Sequence, residues 1–193
     1  MENGEREPDD GIDPDLHLSG DRATDAPPAP VRSFPPVVRA DARVLVLGSM
    51  PGDASLAAAR YYAHPRNLFW PIMGALAGAA PELDYDTRLK RLQAAGIALW
   101  DVIAECVRPG SLDARIRAGS IVVNDLPGLL ARHPGIERVC CNGATADALF
   151  RRHVLPKLAP SPQVVRLPST SPAHAAMGFA EKLAAWRAGL GID

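Results

Sequence analysis

The sequence predicts a three-layer α/β/α sandwich around a central four-stranded parallel sheet. Three observations predict it. Short apolar runs at 43–48 ("RVLVLG"), 97–104 ("IALWDVIA"), 136–143 ("IERVCCNG") and 163–168 ("QVVRLP") have the length and composition of buried strands. Stretches of helical period separate them, and strands alternating with helices pair in parallel. Each run also empties into a polar or glycine-rich loop: "GSMPG", "DVIAECVRPGS", "NGAT" and "LPSTSPAHA". Parallel pairing gathers those loops on one edge of the sheet, where ligands bind in such folds.

The elements follow in order. Residues 1–36 are poor in aromatics and rich in Asp, Glu, Pro and Gly. They are expected to be a disordered or loosely extended tail, with one folded domain over 37–193. Strand 43–48 stops at Gly48. Residues 67–79 form a helix with Asn67 as cap, Pro71 within its tolerated first turn, and Phe69, Met73 and Leu76 on one face. Residues 86–96 are amphipathic and stop at Gly96. Strand 97–104 follows, then a short irregular helix at 124–135, strand 136–143, helix 144–155 and strand 163–168. The last helix, 178–191, carries Phe179, Leu183, Trp186 and Leu190 on one stripe.

At 193 residues and 47% hydrophobic, the chain can bury a proper core. No apolar run approaches the roughly 18 residues of a membrane span. The N-terminus has neither the pattern of a secretory signal nor that of an Arg-rich transit peptide. Residues 1–30 hold nine acids and two bases, a net charge of −7. The other 163 residues hold 13 acids and 19 bases, net +6. A basic body with an acidic tail suits a polyanion partner, and equally suits a soluble body with a solvated tail. Cys106, Cys140 and Cys141 give neither a disulfide framework nor a four-ligand metal pattern. Buried free thiols and a reducing cytoplasm are expected.

Chemistry concentrates in four stretches. In "GSMPG", Gly48 and Gly52 are free to take positive φ and Pro51 fixes its own φ at a negative value, so exposed backbone N–H groups within 49–52 can grip an oxygen. No Gly-Lys-Ser/Thr follows, so this is not a P-loop. In "YYAHPRN", Tyr62 offers a stacking face, Arg66 a phosphate contact and Asn67 an amide that orients water without titrating. Tyr61, Tyr62 and His64 also read as packing residues, and Asn67 as a cap alone. In "LPSTSPAHA", Ser169, Thr170 and Ser171 can bond phosphate oxygens, or cap the last helix. Asp101 either braces loops or reads the edge of a bound ring. Arg108 binds phosphate or pairs with Asp113.

Two blocks, "LGSMPG" with "YYAHPRNLFWPIMGAL" and "LPSTSPAHA", resemble the two motif regions of the uracil-DNA glycosylase superfamily. They are most similar to the hypoxanthine-DNA (deoxyinosine) glycosylase family. The similarity runs over about residues 42–190, with "WDV" and "CNGATA" as weaker intermediate matches. The resemblance implies the four-stranded parallel α/β/α fold and a monofunctional DNA repair enzyme without metal or cofactor. Such an enzyme flips a damaged nucleotide out of double-stranded DNA and hydrolyses its N-glycosidic bond. Many uracil enzymes carry Asp or Asn where this chain has Met50, which cannot orient water; that favours the hypoxanthine branch. The second motif also lacks a histidine before Pro168.

On this reading Asn67 is the catalytic residue. Gly48, Ser49, Met50, Pro51, Gly52, Tyr62 and Asp101 hold the base. Arg66, Arg108, Ser169, Thr170, Ser171, Pro172 and His174 contact DNA, with Ser171 or Pro172 entering the minor groove and His174 near the departing base. A cytoplasmic, nucleoid-associated monomer is expected. Alternative expectations are a uracil- or mismatch-directed glycosylase, a non-catalytic lesion-binding protein, and a free-nucleoside hydrolase.

Overall fold

The computed structural model describes Met1 and residues 29–191, folded around two sheets. The strands are β1 (Val31–Arg32), β2 (Val44–Gly48), β3 (Ile97–Asp101), β4 (Ile103–Cys106), β5 (Val122–Val123), β6 (Arg138–Asn142) and β7 (Gln163–Leu167). The helices are α1 (Asp53–Ala58), α2 (Phe69–Ala77), α3 (Tyr85–Ala94), α4 (Leu126–Arg132), α5 (Ala144–His153) and α6 (Phe179–Leu190). The main sheet has the order β3-β2-β6-β7 and is parallel throughout, in agreement with the predicted fold class.

Its two central strands and β3 are apolar through their middles because both faces are covered, while the edge strand β7 exposes Gln163 and Arg166. Val46, Ile97, Leu99, Cys140 and Leu167 face one layer, packed with Phe69, Trp70, Ile72 and Met73 of α2, Leu92 of α3 and Trp186 and Leu190 of α6. Leu45, Leu47, Ala98, Trp100, Val139 and Cys141 face the other, with Leu126 and Leu129 of α4 and Ala146 and Phe150 of α5. The period of two along each strand thus divides its residues between two cores. All three cysteines are buried free thiols. The chain winds from β2 out to β3, then crosses back to β6 on the other side of β2. That reversal opens a crevice at the carboxyl ends of β2 and β6.

The structure departs from the sequence reading in four places. The run at 97–104 is two strands, because at Val102 the chain leaves the main sheet. Val102 donates to the Gly48 carbonyl and accepts from Asn124 N–H (2.9 and 3.0 Å). β4 then joins a small antiparallel sheet of order β1-β4-β5. Residues 31–36 belong to the folded body: β1 pairs with β4, and the Phe34 carbonyl accepts from Trp100 Nε1 at 2.9 Å. The expected disorder of the rest of the tail falls on residues 2–28, outside the described residues. Helix α1 was not expected. Phe179, expected on the buried stripe of α6, is 42% exposed while Trp186 and Leu190 are buried.

Candidate active site

A cavity of about 390 Å³ sits at that crevice, in the size range of small-molecule sites. It is lined by the turn after β2 (Gly48 to Ser55), by Tyr61, Tyr62, His64 and Asn67, by Asp101, by residues 111–114, by Asn142 and Thr145, and by residues 169–174. The topology therefore gathers all four loops at one site.

Asp101 ends β3 directly opposite Gly48 in the register. The pair explains the glycine: a Cβ at position 48 would overlap Asp101 Oδ1. The carboxyl is 3% exposed, and Oδ2 has no hydrogen-bond partner. Burial, reinforced by the Asp113 carboxylate and partly opposed by Arg108, pushes Asp101 up to about 8. Next in the turn, Ser49 Oγ donates to Asp113 Oδ2 at 2.7 Å. The Met50 side chain is buried with Ile103 and Cys106, so this residue offers the cavity chiefly its backbone. The N–H groups of Met50 and Gly52 make no hydrogen bond to any of the described residues.

Tyr62 takes positive φ (+54°), a conformation uncommon for a large side chain and one that clusters at functional sites. It holds the ring stacked on Phe69, centroids 3.8 Å apart and planes 20° from parallel. Phe69 in turn packs edge-on against Trp70 and Trp186, so the platform rests on the core. Burial raises the Tyr62 phenol and keeps it neutral. Its neighbour Tyr61 is a packing residue, its hydroxyl donating to the Pro35 carbonyl at 3.1 Å.

Asn67 is half-buried and faces the cavity at the mouth of α2. Its Oδ1 accepts from Phe69 N–H at 3.0 Å; the N-cap position falls on Leu68, so Asn67, expected as the cap, sits one residue before it and ties down the first N–H of the helix. That bond fixes the amide and leaves Nδ2–H₂ and one Oδ1 lone pair for a ligand. His64 Nδ1 accepts from the N–H of Arg66, whose side chain is exposed outside the cavity.

Two predicted DNA contacts are corrected. Arg108 is 3% exposed, and its guanidinium donates to the carbonyls of Gly110 (2.7 Å), Met50 (3.4 Å) and Pro51 (2.6 Å). It clamps the β2 turn to the loop after β4 and is out of reach of a phosphate. Its ion-pair partner is Asp53 at 3.8 Å, not Asp113. Thr170 is fully buried: Oγ1 accepts from Asn142 Nδ2 and its N–H donates to Asn142 Oδ1, both at 2.9 Å. It ties the second motif to the end of β6. Ser169, Ser171, Pro172 and His174 line the cavity around it. The His174 carbonyl accepts from buried Lys182 Nζ at 2.7 Å, anchoring this loop to α6.

Sequence reasoning missed Asn142, Asp113 and Ser111. Asn142 also lies beside the Tyr62 hydroxyl. Ser111 Oγ accepts from Asp53 N–H at 2.8 Å, pinning the loop that carries Asp113 over the cavity. The one available signal was the Asn closing "RVCCN", a polar residue ending an apolar strand on the ligand edge.

The site is thus a recess of about 390 Å³ at a sheet edge, with an aromatic platform, a fixed amide and a buried carboxyl, the equipment for handling a planar ring. Residues 35–188 match the uracil DNA glycosylase superfamily, and the chain belongs to it. It is 37% identical over 116 residues to a protein named hypoxanthine DNA glycosylase from Methanosarcina acetivorans, covering 60% of this chain and 72% of that one. A protein of the same name from Methanosarcina barkeri is 36% identical over 113 residues, 58% of this chain and 70% of that one. The chain also superimposes on the solution NMR structure of a Methanosarcina acetivorans protein provisionally described as a uracil DNA glycosylase. The TM-score is 0.68 at 31% identity, over 83% of this chain and 98% of the other. A DNA glycosylase, with DNA as its substrate, is the class this membership defines. No helix among the described residues is long and apolar enough to cross a membrane.

Proposed function

We propose that the chain is a monofunctional glycosylase that removes hypoxanthine, the product of adenine deamination, from duplex DNA and leaves an abasic site. The names of the two relatives support hypoxanthine as the substrate. The observation that carries the chemistry is Asn67, an amide locked by the Phe69 N–H at the cavity wall.

Extruding the base costs a few kcal/mol, least for a weakened pair. The flipped ring stacks on Tyr62, and the free N–H groups of Met50 and Gly52 meet its edge. Arg66 and the hydroxyls of Ser169 and Ser171 hold the strand, while Pro172 enters the minor groove. Cleavage passes through an oxocarbenium-like sugar, which needs little push from its nucleophile. An amide that positions water at C1′ is therefore sufficient, and a titrating base is not required.

The test is an incision panel of duplexes carrying hypoxanthine, uracil, xanthine or a mismatch, at fixed salt, with free inosine alongside. Excision of hypoxanthine is expected to lead. Asn67→Ala is expected to lose about a hundredfold or more in single-turnover rate with DNA affinity nearly unchanged, since a transition-state contact is lost. Uracil leading the panel overturns the substrate. Wild-type turnover in Asn67→Ala overturns the residue's role.

A further inference from the structure

Asp101 is a buried acid for which water positioning by Asn67 leaves no role. The reading that follows rests on the proposed purine substrate. The carboxyl lines the cavity floor, glycine stands opposite so that it fits, and Oδ2 meets nothing in the protein. A buried polar atom without a partner is costly unless a ligand supplies one. The charged and titratable groups around it are Asp113 and Arg108 from the loop after β4, and the Tyr61 and Tyr62 hydroxyls from the segment before α2. His64 and His174 line the same cavity. Arg108, the nearby cation, is committed to three carbonyls and does not form an ion pair with the carboxyl.

A carboxyl so placed holds its proton at neutral pH, its affinity raised chiefly by burial. A neutral acid cannot serve as the base that activates water; it can donate. Hypoxanthine leaves as an anion unless its imidazole ring is protonated, and its N7 is an exposed acceptor.

We infer that Asp101 is the general acid of the reaction, donating its proton to N7 of the flipped purine as the glycosidic bond breaks. The C1′–N9 electron pair stays with the base. The proton passes from Asp101 to N7, so neutral hypoxanthine departs. The hydroxyl of water bonds to C1′, and the remaining water proton returns through solvent to the carboxylate.

Single-turnover excision of hypoxanthine and of 7-deazahypoxanthine, which has CH in place of N7, tests this between pH 6 and 10. For the wild type on hypoxanthine, the rate is expected to be flat to about pH 8 and to fall about tenfold per unit above it. The 7-deaza base is expected to be cut at least about a hundredfold more slowly, with no alkaline fall. Asp101→Asn keeps the shape of the carboxyl and is expected to lose a similar factor on hypoxanthine, to show no alkaline fall, and to lose nothing further on the 7-deaza base. Equal rates on the two bases by the wild type overturn the proposal without recourse to any variant. So does an alkaline fall that survives in folded Asp101→Asn. A wild type that cuts neither purine but cuts uracil fails at the substrate, and the acid falls with it.

Discussion

At the scale of single residues, the site is built from pairs that meet across the fold. Gly48 and Asp101 are the clearest. The first is legible in the sequence as a turn glycine, but the carboxyl that requires it is 53 positions away, brought opposite only by strand register. Gly48→Ala forces its Cβ onto Asp101 Oδ1. Overpacking of this kind costs about 1–3 kcal/mol and displaces the acid. A lowered Tm and a fall in excision rate of about tenfold or more are expected. In the Asp101→Ala background the same substitution is expected to cost little more activity, because its target is gone. Full additivity of the two rate losses would show that Gly48 acts by another route. Asn67 illustrates the converse: its place at the mouth of α2 was legible, and there its Oδ1 accepts from Phe69 N–H while the side chain lines the cavity.

At the scale of elements, the loop over 107–121 is where the sequence reading ran out. By sequence Arg108 reads there as a phosphate contact or a partner of Asp113, yet burial decides which guanidinium is available, and burial is set by partners distant in the chain. Arg108 satisfies three carbonyls; Arg66 is exposed. Arg66→Ala is therefore expected to reduce the slope of log K against log salt for duplex binding by about 1, with Tm little changed. Arg108→Met is expected to do the opposite. It strips the buried carbonyls of Met50 and Pro51 and the part-buried carbonyl of Gly110 of their donor, lowering stability by several kcal/mol (about 1–3 for each buried orphaned group, partly relieved by water) and leaving the salt slope alone. Thermal melts and a salt titration of each variant check both. The division of "IALWDVIAEC" into β3 and β4 was hidden for a related reason. Apolar composition continues across the break, and the signal lies in the hydrogen bonds that Val102 donates to the Gly48 carbonyl and accepts from Asn124 N–H, which a local pattern does not contain.

At the scale of the whole molecule, the parallel sheet was legible because both of its faces are covered, which leaves near-continuous apolar strands separated by helical periods. The cavity lies where topology alone places a ligand, beyond the carboxyl ends of the parallel strands. What could not be read was the cost of building it, since burial depth is a property of the assembled core. That cost is measurable. In the unfolded chain Asp101 ionises near the usual carboxylate value of about 4; in the fold burial pushes it up to about 8. Between those values the folded state binds a proton that the unfolded state has released, so stability falls as pH rises. The contribution is intact below about pH 4 and lost above about pH 8. Asp101→Asn removes the ionisation while keeping the shape. The variant is expected to melt increasingly above the wild type as pH rises from 5 to 8, by an amount on the order of a few kcal/mol at the alkaline end. Denaturant titrations of both proteins across that range measure it directly. Parallel pH profiles for wild type and variant would mean that Asp101 is ionised in the folded protein, and a donor to the leaving base would then have to be sought elsewhere in the cavity.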